Sequence, residues 1–273
     1  MADQTTVVLY VLALLATGAF SGFLAGLLGV GGGIVVVPVL LIVFDAFNVD
    51  PSIRNQVAVG TSLATIIPTS IVSARSHWRK GSMDQSLLRS LAPMTFVGVI
   101  VGTLLASIVS GNVLTAVFAT VALLVSIKMA MGPNAFVIGK RLPGRIGVGA
   151  IGTTIGTVSA MMGIGGGTLT VPVLSLFSYP IHTAVGTAAA LGLVISIPGA
   201  IGFALTGHGQ EMLPPFSIGY VNWVGFLTIV PTSIFTAPWG AKVAHAISRV
   251  WLSRAFAFFL IVTSIKMFAS LLR

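Results

Sequence analysis

The chain contains no cysteine, which removes disulfides, thiolate catalysis and cysteine-ligated metal from consideration. Charge is nearly as scarce. Only 7% of the 273 residues are charged, against about 25% in a soluble domain whose outer surface faces water. The acidic residues are Asp3, Asp45, Asp50, Asp84 and Glu211, and each sits at the end of an apolar block or between blocks. Carriers of cations or protons commonly keep a carboxylate inside the membrane, where charge is expensive and retained for function. None is placed to do so here. The histidines (His77, His182, His208 and His245) are scattered without ligand spacing, so neither a metal nor another cofactor is expected. No Ser/His/Asp arrangement or nucleotide motif is visible, and the chain does not read as an enzyme.

Apolar residues fill the space that charge leaves. They make up 56% of the chain, and mean hydropathy is +1.06. Several blocks reach the roughly 20 residues that a helix needs to cross the hydrocarbon. The fold class expected is therefore an all-α polytopic membrane protein. A formal charge of +9 spread among connecting loops reads as an orientation signal, not as a nucleic-acid surface. The opening Met-Ala-Asp-Gln-Thr-Thr lacks the basic start of a secretory signal, so the first block is read as a retained helix.

Ten helical segments are predicted, near 6–28, 33–44, 54–74, 86–109, 111–131, 145–162, 167–178, 182–205, 216–240 and 247–271. The second and seventh are too short to span alone. The two halves repeat. Gly29-Val30-Gly31-Gly32-Gly33 and Val37-Pro38-Val39-Leu40 recur as Gly163-Ile164-Gly165-Gly166-Gly167 and Val171-Pro172-Val173-Leu174, at an offset of 134. Val59-Gly60-Thr61 recurs as Val185-Gly186-Thr187 at 126, and Ser126-Ile127-Lys128-Met129 as Ser264-Ile265-Lys266-Met267 at 138. The organisation expected is a first transmembrane repeat over 1–131, a cytoplasmic linker over 132–144 and a second repeat over 145–273. Five segments per unit, or three with the glycine-linked pair re-entrant, is an odd number, so the second copy is expected to be inverted. With the amino terminus outside (periplasmic), most basic residues, including Arg75, Arg79, Lys80, Arg89, Lys140 and Arg141, fall inside.

Glycine in a helix interior costs about 1 kcal/mol relative to alanine. The runs containing Gly31, Gly32 and Gly33, and Gly165, Gly166 and Gly167, should therefore break their helices. Broken backbone survives in a bilayer only when enclosed by protein or lining a cavity. Each break precedes a short helix whose amino-terminal amides attract negative charge. Two such ends converging near the midplane would make a transporter site for a small anion. Asn55, Gln56, Thr61, Ser62, His182 and Thr187 are candidate donors to that anion, with Gln56 and His182 in equivalent positions. Pro38, Pro172, Pro68 and Pro198 are expected to kink their helices and free carbonyls. Gly-x-Gly-Gly-Gly also occurs in dinucleotide loops, but no βαβ pattern surrounds it.

The doubled Gly-x-Gly-Gly-Gly-x-x-x-x-Pro motif, the Val-Gly-Thr stretch after each copy and the chain length resemble the TauE/SafE sulfite exporter family, which includes 4-toluene sulfonate uptake permease-like transporters. The resemblance covers essentially the whole chain. It implies a carrier of the bacterial inner membrane for sulfite, a sulfonate or a related sulfur-containing anion. Its motif positions are Gly31 to Gly33 with Pro38, Gly165 to Gly167 with Pro172, Gly60-Thr61-Ser62 and Gly186-Thr187. Ala188 stands where the first copy has a serine, so polar contributions there must be asymmetric. The expected function is export by alternating access, driven by membrane potential or proton exchange. An anion channel and an uptake permease for an organic sulfonate or carboxylate are the alternatives. The expected partners are the small anion, the lipid bilayer and, as an assembly compatible with the chain, a second copy in a homodimer.

Overall fold

The computed structural model describes residues 4–28, 31–131, 137–139, 142–243, 246 and 249–271. Gly29 and Val30 of the first glycine motif, most of the 132–144 linker with Lys140 and Arg141, and His245 lie outside the described residues. The helices are α1 (Gln4–Leu28), α2 (Gly33–Ala46), α3 (Pro51–Arg79), α4 (Gln85–Ile108), α5 (Gly111–Ala130), α6 (Arg145–Met162), α7 (Gly166–Leu176), α8 (Ile181–Thr206), α9 (Trp223–Val243) and α10 (Arg249–Leu271). A short hairpin, β1 (Ser217–Ile218) and β2 (Val221–Asn222), precedes α9. Segments of α1, α3, α4, α5, α8 and α9 are each long and apolar enough to cross a membrane. The chain is an all-α polytopic membrane protein.

Helix starts follow local chemistry. Pro51 opens α3 without wasting a donor, and the Asp50 side chain accepts from the Ser52 amide at 2.8 Å. Arg54 ties this start to the end of α2 through an ion pair with Asp45 and a hydrogen bond from Nη2 to Val49 O at 2.8 Å. Asp84 accepts from the Leu87 amide at 3.0 Å to start α4, and Asn222 accepts from the Gly225 amide at 2.9 Å to start α9. Asp84 and Asn222 differ by 138, so the same cap recurs in both copies.

One boundary departs from expectation. The ninth segment was expected from 216, yet its helix begins at Trp223. Ser217 pairs with Asn222 and Ile218 with Val221 across a turn holding Gly219 at φ +53°. The Asn222 amide group donates to Pro215 O and Ser217 Oγ, both at 3.0 Å, which closes the hairpin.

α3 and α8 form the centre. In its most apolar window 78% of α3 is buried, against 33% for α9, so α3 is wrapped by protein while α9 faces lipid on one side. The central pair runs antiparallel: a Cβ built on Gly199 meets Leu63, and one on Gly192 meets Ser70. Around it α1 packs parallel to α9, and α6 parallel to α4, through small residues that let backbones touch. The contacts repeat between copies. Gly22 faces Ser233 O and Gly156 faces Thr95 O, while Gly240 faces Phe23 O and Gly102 faces Thr157 O.

These close approaches leave no room for a side chain. A Cβ on Gly22 would lie 2.2 Å from Ser233 O, and one on Gly156 2.1 Å from Thr95 O. Gly22→Ala and Gly156→Ala are each expected to lower stability by about 1–3 kcal/mol through overpacking, measured by unfolding in detergent. A neutral result at either position would contradict the packing described.

Candidate functional site

The glycine runs turn the chain back on itself. At the end of α1, Ala25 O accepts from Ser73 Oγ at 3.1 Å and Gly26 O lies 3.2 Å from His77 Nε2. A few residues later Gly33 lies against Ile66, about two turns earlier on α3, and α2 continues towards Arg54. Gly31 at φ +71° and Gly32 at φ +78° make this reversal, a backbone region in which any Cβ is strained. Gly163 at φ +66° begins the matching reversal between α6 and α7.

The two breaks touch each other. A Cβ on Gly31 would lie 3.2 Å from Gly165 Cα, and one on Gly33 would lie 2.3 Å from Gly163 O. Gly31 and Gly165 are equivalent residues, so the copies meet at corresponding points. Their level is set by Ile66 and Thr69, near the middle of α3. The exposed carbonyls find partners there, as backbone away from water must. Ser62 Oγ donates to Gly163 O at 2.7 Å, while Thr69 Oγ1, 3.0 Å from both Thr65 O and Ile66 O of its own helix, lies 3.5 Å from Gly31 O.

Of the residues picked out in sequence, the structure brings together Gly31 to Gly33, Gly165 to Gly167 and Ser62. Thr61 and Thr187 have a different engagement. Thr61 Oγ1 accepts from the Asn222 amide at 2.9 Å, and Thr187 Oγ1 accepts from the Asp84 amide at 3.1 Å. The glycines before them clear the same connections: a Cβ on Gly60 would sit 2.5 Å from Tyr220 O, and one on Gly186 2.5 Å from Ser82 O. The Gly-Thr pairs thus fasten the starts of α9 and α4 onto the central helices.

Asn55, Gln56 and His182 are not brought to the breaks. Asn55 accepts from Thr115 Oγ1 at 3.1 Å, and Gln56 Nε2 donates to Val109 O at 3.3 Å, next to the end of α4. Beside Asn55, a cavity with room for about one water is lined by Val37, Val59, Thr115, Met161 and Met162. Because α3 and α8 are antiparallel, Gln56 and His182 lie at opposite ends of the pair, roughly 35 Å apart at 1.5 Å per residue. Pro38, Pro68, Pro172 and Pro198 all lie inside continuous helices.

The basic stretch at the end of α3 is engaged by neighbouring helices. His77 is buried, with Nδ1 3.3 Å from Ser82 Oγ in addition to its contact with Gly26 O. Lys80 Nζ donates to Ala241 O at 2.7 Å. Burial, and secondarily the nearby Lys242, holds the Lys80 pKa below the ordinary lysine value.

A further set of polar groups escaped sequence reasoning. Among the described residues, Thr168 Oγ1, Thr170 Oγ1, Ser159 Oγ and Ser196 Oγ are buried without a hydrogen-bond partner. All four belong to the second copy and flank its break. Neither α2 nor α7 has a side-chain cap at its start, so the first amides of both helices lack that satisfaction. An acceptor-rich small anion is the ligand such a surface of donors suits.

The roles of the threonines can be separated by substitution. Thr61→Val removes the acceptor of a buried amide and is expected to cost about 1–3 kcal/mol of stability, while Thr61→Ser retains most of it. Thr187→Val and Thr187→Ser should behave in parallel, read by thermal unfolding of the purified chain. Equal stability of the valine and serine variants would contradict the fastening role.

Comparison with known proteins agrees with this architecture. The family model described as "Sulfite exporter TauE/SafE" matches residues 14–267. A "Probable membrane transporter protein" of Haemophilus influenzae is 34% identical over 259 residues, covering 95% of this chain and 98% of that protein. The "Probable membrane transporter protein YunE" of Bacillus subtilis is 28% identical over 255 residues, covering 86% and 88%. No solved structure gives a significant match. With matched coverage from the first helix to the last, a transmembrane helical core and two glycine breaks in contact at its centre, this chain belongs to the TauE/SafE sulfite exporter family of membrane transporters.

Proposed function

We propose that the chain is a secondary transporter that exports sulfite or a related small sulfur-containing anion by alternating access. The observation that carries this reading is the contact between the two glycine breaks midway along α3. Two uncapped helix starts approach one buried place, and their amides favour negative charge. Among the described residues no acidic side chain accompanies them: Asp45, Asp50, Asp84 and Glu211 all lie at helix ends or in connections.

In this reading the second copy is inverted in the membrane relative to the first. The antiparallel contact between α3 and its equivalent α8 supports the inversion, because a two-fold axis along the helices would leave them parallel. The exchange of partners, α1 with α9 and α6 with α4, fits a two-fold relation between the copies. The groups around the breaks are buried, so an anion reaches them only when helices move apart on one side. Rocking of one copy against the other opens the two sides in turn. The breaks act as the shared pivot.

The energetics suit export. A potential of about 100 mV, negative inside, is worth about 2.3 kcal/mol per elementary charge. Expelling a divalent anion therefore releases about 4.6 kcal/mol without a coupled ion. Proton exchange is the other available drive.

Flux of labelled sulfite from proteoliposomes, with and without an imposed potential or proton gradient, tests the proposal. Saturable efflux that accelerates when the inside is made negative is the expected result for potential-driven export. Dependence on the proton gradient alone would assign the drive to exchange. Absence of sulfite movement under every condition would remove this substrate, and ohmic currents in planar bilayers would replace the carrier with a channel.

A further inference from the structure

The two breaks are equivalent in the chain but not in their surroundings. In the first copy, Ile66 of α3 covers the helix start. Its Cγ2 would lie 2.9 Å from a Cβ on Gly31, and its Cδ1 2.8 Å from one on Gly33. The residue equivalent to Ile66, at the offset of 126, is Gly192 on α8. There the side chain is missing, and a serine of α3 closes onto the glycine in its stead. Ser70 Oγ lies 2.5 Å and the Gly166 amide nitrogen 3.8 Å from the point where a Gly192 Cβ would sit.

The hydroxyls of α7 follow the same division. Thr168 and Thr170 on α7 correspond to Ile34 and Val36 on α2, at the offset of 134. Thr168 is in the first turn of α7, fully buried, and its hydroxyl has no partner. Ser196 lies one turn beyond Gly192, on the face of α8 that Gly192 presents to Ser70 and Gly166, and its buried hydroxyl is also unpartnered. An unsatisfied buried hydroxyl is destabilising unless a ligand takes it up. Thr168 and Thr170 are replaced by hydrocarbon at the other break, as Ile34 and Val36, whereas Ser196 corresponds to Ser70 at the offset of 126 and keeps its hydroxyl in both copies.

We propose that the anion is held on one side of the pseudo-symmetric centre, by the start of α7 together with Ser70, Thr168 and Ser196, while the start of α2 under Ile66 is a dry, packed counterpart that bears no ligand. The site takes a small tetrahedral or pyramidal oxyanion. Backbone amides of the first turn of α7 supply the positive end, and the three hydroxyls donate to its oxygens. Gly192 is the specificity-determining position, since any side chain there would displace the Ser70 hydroxyl from the start of α7. This rests on the transport reading above and sharpens it, by placing the anion at one of the two breaks.

The absence of cysteine makes a direct test available. Thr168→Cys and Ile34→Cys, each in the full chain in native-membrane vesicles of both orientations, are treated with an anionic sulfonatoethyl methanethiosulfonate reagent and with a cationic reagent of similar size. The expected result is modification of the Thr168 variant at least about tenfold faster than the Ile34 variant, with the anionic reagent preferred. Equal rates, faster reaction of the Ile34 variant, or no reaction of either from both sides would overturn the one-sided site.

A transport measurement separates this inference from the choice of substrate. Thr168→Val is expected to raise the KM for sulfite roughly tenfold, and Ile34→Thr to leave it within a factor of two. Asymmetric labelling in a chain that carries no sulfite would keep the site and discard sulfite. Sulfite transport with equal KM changes in both variants would keep the transport reading and discard the site.

Discussion

Backbone that leaves the helical ladder inside a membrane must find other partners, because the surrounding hydrocarbon offers none. The structure obeys this constraint at two places, and most of its design follows from how it does so. Both glycine reversals are enclosed by the central helices, with Ser62 donating to Gly163 O and Thr69 lying near Gly31 O. Side chains at Gly31 or Gly33 would collide with Ile66 or with the opposite break, which explains why glycine stands there. The outer pairs, α1 with α9 and α4 with α6, pack beside the central helices through equally close contacts. A pair of interrupted helices is thereby held at the centre of a bundle whose outer face is apolar.

Repetition gives the bundle its frame, and departures from repetition give it chemistry. The caps at Asp84 and Asn222, the threonine acceptors at Thr187 and Thr61, and the glycine clearances at Gly186 and Gly60 correspond residue for residue. These are structural fittings, and both copies need them. Around the breaks the correspondence fails in a patterned way: Ile34, Val36 and Ile66 in one copy face Thr168, Thr170 and Gly192 in the other. In the proposed cycle a symmetric frame lets the two sides of the membrane open alternately, whereas a single small anion would require only one set of donors.

Much of this was legible in the amino acids, for identifiable reasons. Long apolar blocks and glycine runs are local signals, so the number of segments and the short helices after each break could be read directly. The doubled motif revealed the repeat. What could not be read was which distant backbone each polar group meets. Thr61 looked like a ligand for an anion because its partner, the Asn222 amide, is 161 positions away. His77 shows no ligand spacing in the sequence, and nothing local indicates that the end of α1 buries it. The hairpin at Ser217–Asn222 was taken for helix because its pairing depends on Asn222 and Gly219, within an otherwise apolar stretch. The contrast between Ile66 and Gly192 was present at the offset of 126 all along. It acquired meaning only when both were seen against the starts of α2 and α7.

The claim on which the account rests is that the glycine reversals form one enclosed anion site. Selenite is a heavier counterpart of sulfite, and its selenium scatters anomalously. Crystals of the full chain grown with selenite should show one anomalous peak per chain, within hydrogen-bond reach of the amides at Gly166 and Gly167. A peak at a membrane surface or against lipid-facing helices, or no peak at concentrations that saturate transport, would contradict it.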